Sequence, residues 1–73
     1  MSTITLIVIP GPGARSIQFS DNITAEHLVC QENLHGRDII INGVAIAPDA
    51  YRSTVIPNGS EVFATGSVKG NNI

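Results

Sequence analysis

The chain has 73 residues, a formal charge of −2, and 42% hydrophobic against 14% charged residues. A domain of this size buries only about 60% of its unfolded surface, so it holds one thin core, and the low charge argues for order rather than disorder. The four basic residues, Arg15, Arg37, Arg52 and Lys69, are scattered singly. They supply no positive field of the kind that binds nucleic acid directly.

Residues 3–9 are dense in β-branched side chains and read as the first strand, with Ile4, Leu6 and Val8 on one face and Ile7 and Ile9 on the other. Apolar residues on both faces mark a central or parallel-paired strand. Pro10-Gly11-Pro12-Gly13-Ala14 reads as a hairpin loop, since proline cannot donate to a ladder and glycine weakens one. Residues 16–20 form the returning strand, with Ile17 and Phe19 on one side. Thr24 caps a helix over 25–32 whose inner face carries Ala25, Leu28, Val29 and the stem of Glu32, and Gly36 is its expected left-handed terminator. Residues 38–42 and 44–46 form a hairpin about Asn42-Gly43, a pair that accepts the positive φ values of a type I′ turn. Pro48 opens a single helical turn, Pro57-Asn58-Gly59 makes a second tight turn, and 61–65 is the last strand. Apolar periodicity is lost after residue 66, so 1–66 is read as the domain and 67–73 as a flexible tail.

A strand pair, one helix, a short hairpin and a final strand able to lie parallel beside the first is the order of the β-grasp (ubiquitin-like) fold. The expected class is therefore α+β, a small mixed sheet of four to five strands packed on one helix, with the first and last strands central. Residues 37–70 contain Ile41-Asn42-Gly43, a turn from Pro48 to Arg52 carrying one aromatic, Pro57-Asn58-Gly59-Ser60-Glu61, and a strand leading into Gly66-Ser67-Val68-Lys69-Gly70. In these features the segment resembles the sulfur-carrier proteins of thiamine and molybdopterin biosynthesis. The resemblance implies a chain ending in two glycines whose carboxylate is activated by a larger enzyme. Here Lys69-Gly70 is followed by Asn71-Asn72-Ile73, so a carrier would require trimming to Gly70.

No catalytic set emerges. Asp49 and Glu61 have no nucleophile between them, and the loop through Arg15 lacks the Lys-Ser/Thr pair of a phosphate-binding loop. Cys30 lies mid-helix without an activating base and reads as a packed or half-buried bystander. His27 reads as a solvent-facing helix residue, and His27 and His35 have no cysteine partner, so neither metal nor cofactor is expected. A single cysteine also excludes an internal disulfide. The two N-x-S/T triplets, at Asn22 and Asn58, read as helix-cap and turn chemistry.

The candidate contact residues are Pro10, Pro12 and Arg15 in the first loop, Tyr51 and Arg52 on the helical turn, and Lys69 in the tail, with Tyr51 also placed to close one end of the core. The longest apolar run, residues 6–9, is far short of the roughly 20 that span a bilayer. A cytoplasmic protein is expected, in the host cytoplasm if it is viral. The resulting expectation is a non-enzymatic interaction module or regulator, monomeric when free, that docks a sheet face, an exposed edge or its mobile ends onto a larger protein. By size and character it could belong among phage proteins that occupy a host enzyme such as RNA polymerase. A sulfur carrier or ubiquitin-like modifier precursor, and a small structural particle component, are the alternatives.

Overall fold

The computed structural model describes residues 1–11 and 13–66. In chain order the elements are β1 (Ser2–Ile9), β2 (Gly13–Phe19), β3 (Ile23–Thr24), α1 (Ala25–Glu32), β4 (Asp38–Ile41), β5 (Val44–Ile46), a 3-10 helix (Pro48–Ser53), β6 (Val55–Ile56) and β7 (Glu61–Thr65). Five strands form one mixed sheet in the order β2-β1-β7-β4-β5, and β3 pairs with β6 in a separate ribbon. β1 and β7 run parallel at the centre, while β2, β4 and β5 are paired antiparallel. The class is the expected α+β, a β-grasp-like mixed sheet on one helix.

The period of two along each strand decides what is buried. Ile4, Leu6 and Val8 of β1, Val62 and Ala64 of β7, and Ile39 and Ile41 of β4 face inward and meet Ala25, Leu28 and Val29 of α1, with Leu34 and Ile56 completing the core. Tyr51, Ile17, Phe19, Ile23 and Ile46 close its margin. The Thr24 hydroxyl accepts from the His27 N–H at 3.2 Å, which satisfies one of the helix's unpaired amide donors.

Turn residues lock the central strands. Asn42 and Gly43 adopt φ of 49° and 86°, the pattern of the expected tight turn. The Asn42 side chain accepts from the Glu61 N–H at 2.9 Å and donates to the Ser60 hydroxyl at 3.2 Å, and buried Ser60 in turn donates to the Pro57 carbonyl at 2.6 Å. Asn58 accepts from the Thr3 N–H at 2.8 Å, tying the second turn to β1. Both N-x-S/T triplets thus contain a residue with a structural task, Thr24 in one and Asn58 with Ser60 in the other.

Four expectations are corrected. β2 begins at Gly13 rather than at residue 16, with Gly13, Ala14 and Arg15 opposite Val8, Ile7 and Leu6. The ladder offered along the whole of β1 outweighs the 0.5–1 kcal/mol or so that glycine costs in a strand. Arg15 is therefore a strand residue and not a loop residue. The helix ends at Asn33, in the left-handed region at φ 56°, and Gly36 belongs to the turn that follows. Cys30 is exposed, because a helix that points Ala25, Leu28 and Val29 inward turns residue 30 outward. The helical turn at Pro48 extends over six residues as a 3-10 helix. Among the described residues no helix is long and apolar enough to cross a membrane, and the expected tail, 67–73, lies outside them.

Candidate functional site

The helix, the β3–β6 ribbon through buried Ile56, and the 3-10 helix through half-buried Tyr51 pack on one face of the sheet. The opposite face carries the alternate residues of every strand, and among the described residues no element lies over it. Register brings Ala14 of β2 beside Ile7 of β1, Ile7 beside Phe63 of β7, Phe63 beside Ile40 of β4, and Ile40 beside Ala45 of β5. With strands about 4.8 Å apart, this is an unbroken apolar row about 19 Å long. Ile9, 50% exposed, extends the patch on the side of Thr65. A sheet face open to water normally alternates to polar residues, and parallel pairs such as β1–β7 are normally covered on both sides. An uncovered apolar row over a parallel pair is thus the feature that calls for explanation.

Two carboxylates bracket the row. Glu61 sits two residues before Phe63 on β7, and Asp38 two residues before Ile40 on β4, so strand alternation puts both exposed carboxylates on the open side, although Asp38, at the start of β4, also borders the hollow beside Tyr51. Asp38 also lies close enough to Tyr51 to help hold the phenol above its ordinary pKa of 10.0, the larger cause being burial of the ring.

On the helix side two arginines are paired with glutamates. Arg15 bonds to Glu32, whose side chain is only 13% exposed, and Arg52 Nε lies 3.5 Å from Glu26 Oε1. The Tyr51 hydroxyl donates to the Arg37 carbonyl at 3.4 Å, across a hollow of about 210 Å³ lined in part by Val29, Leu34 and Pro48. The Arg37 Nη1 atom is buried without a partner among the described residues. A second, polar cleft of about 630 Å³ runs along residues 18–24 beside His27 and Gln31. Its lining includes the Ser20 and Thr24 hydroxyls and His27, yet among the described residues neither hydroxyl is hydrogen-bonded to the imidazole, and no three His, Cys, Asp or Glu side chains are grouped to hold a metal.

The candidate contact residues are distributed rather than assembled into one site. Pro10 is exposed at the β1–β2 turn, Arg15 lies on the edge strand, and Arg52 is exposed on the 3-10 helix. Tyr51 is half-buried against the core, as its core-closing reading requires. Pro12, Lys69 and Gly70 lie outside the described residues. His27 is exposed, as expected. The open-face row itself is not among the sequence candidates, although its signals were present: a second apolar face on β1, three consecutive isoleucines in β4, and Phe63 out of phase with Val62 and Ala64. Compared with protein families, curated proteins and solved structures, the chain matches none significantly.

Proposed function

We propose that this protein is a non-enzymatic interaction module that docks through its open sheet face onto a larger protein partner. The observation that supports this reading is the row Ala14, Ile7, Phe63, Ile40 and Ala45. Burying such a row gains hydrophobic free energy without new backbone order, and a central aromatic is a typical interface anchor. The test compares capture of a partner from lysate by the tagged wild-type chain and by the double variant Ile7→Thr/Ile40→Thr. Threonine keeps the β-branched shape these strands favour, and circular dichroism checks the fold. Loss of the partner by about tenfold or more is expected. Undiminished capture by a folded variant overturns the reading.

A carrier or modifier role is the second reading. It is favoured by β7 being central and by the Gly66 N–H donating to the Ile9 carbonyl at 2.7 Å, so that the chain leaves the middle of the sheet beside the apolar patch. Intact mass of the protein from its native source is the discriminating measurement. A chain ending at Gly70 with sulfur replacing a carboxyl oxygen would establish the carrier, whereas a full-length, unmodified chain removes it.

A further inference from the structure

The two sides of the sheet differ in where their arginines lie. On the helix side Glu26 and Glu32 each have an arginine, while Asp21 and Asp49 stand outside those pairs. On the open face Glu61 and Asp38 stand on opposite sides of the apolar row. Among the described residues no arginine side chain shares that face: Arg15 lies opposite inward-facing Leu6, Arg52 is on the 3-10 helix, and Arg37 carries a buried Nη1 atom.

We infer that the partner surface is an apolar ridge flanked by basic side chains, the ridge covering Ile7, Phe63 and Ile40 while lysines or arginines meet Asp38 and Glu61. This inference rests on the docking reading above and adds the partner's chemistry to it. The physical reason is complementarity. An apolar or acidic partner would leave both carboxylates desolvated or facing like charge at the rim, whereas cations there favour the encounter and fix its register. Because the pairs are at the rim, they contribute modestly to affinity and mainly to selection and on-rate.

The test uses a synthetic amphipathic helix with a leucine stripe flanked by lysines, and the same peptide with glutamates replacing the lysines. Each is titrated into the isotope-labelled full chain, and amide resonances are followed by NMR. The lysine peptide is expected to shift Ile7, Ile40 and Phe63, to bind more weakly as salt rises, and to lose affinity by about fivefold in the near-isosteric variant Asp38→Asn/Glu61→Gln. If both peptides bind the row equally, or the double variant binds the lysine peptide unchanged, the basic-partner inference is overturned and the docking face stands. If neither peptide shifts the row, or shifts cluster elsewhere, the docking face falls and the inference with it.

Discussion

The two faces of the sheet are made from alternate residues of the same strands, yet among the described residues only one is closed by the chain itself. Leu6 is fully buried against the helix side, while its neighbour Ile7 points to a face that no described element covers. Both are large aliphatic residues at the centre of a parallel pair, so neither composition nor strand propensity separates them. What separates them is the placement of α1, the 3-10 helix and the β3–β6 ribbon on a single side. An apolar residue under the helix is explained by folding, whereas one on the open face is not, and that difference is why the open face carries the functional reading.

The sharpest way to break this comparison is to truncate the two neighbours separately. Leu6→Ala is expected to cost about 3 kcal/mol, because a fully enclosed side chain leaves a cavity that the surroundings fill poorly. Ile7→Ala is expected to cost about 1 kcal/mol, since its side chain is already partly in water and no cavity forms. Urea unfolding midpoints measure both. Equal losses would mean that the open face is as much a part of the core as the helix face, and the case for docking would weaken accordingly.

A smaller effect is expected at Gly43, whose φ of 86° belongs to the left-handed region. Gly43→Ala should cost about 1–2 kcal/mol, and the loss should be felt first at β5, which that turn joins to β4. Because Ala45 ends the apolar row, the variant also shortens the open face. Faster amide exchange of β5 with unchanged protection of β1 and β7 is the expected signature, and uniform loss of protection would show that the hairpin is required by both faces.

Much of this fold was legible in the sequence because its signals are local. β-branched density marked β1, the Asn42-Gly43 pair marked the β4–β5 turn, and Thr24 marked the start of α1. The parallel pairing of β1 with β7 followed from element order alone. The β3–β6 ribbon was not legible, since two residues per strand are too few to show a period. Arg15 reads as a loop residue because Gly11 and Gly13 outweigh, in a local reading, a ladder that only the register shows. The same limit hid the open-face row. Ile7, Ile40 and Phe63 are unremarkable one at a time, and only long-range register places them side by side.

Thr24→Ala sharpens the comparison from the other side by loosening the cover rather than the sheet. Loss of the bond from the His27 N–H should cost about 1 kcal/mol. Exchange should accelerate in the first turn of α1, while the amides of Ile7 and Phe63 and any binding through the open face stay near wild type. A matching loss of open-face binding would mean that the two faces are energetically coupled.

The smallest effect at neutral pH, and the one that reaches both faces, is at Tyr51. Tyr51→Phe keeps the ring against the core and removes one long hydrogen bond to the Arg37 carbonyl, a loss of under about 1 kcal/mol. Burial first, and then the Asp38 carboxylate on the open-face rim, raise the phenol above its ordinary value of 10.0. The folded state therefore favours the neutral phenol more than the unfolded chain does. This contribution is complete below about pH 10 and is lost as pH rises through the raised folded value. Wild type should lose stability relative to Tyr51→Phe above about pH 10, and Asp38→Asn should reduce that difference without removing it, because burial is the larger cause. Parallel stability curves for wild type and Tyr51→Phe through that range would show that Tyr51 meets the same environment folded and unfolded. The Tyr51 ring would then not be closing the core on the helix side.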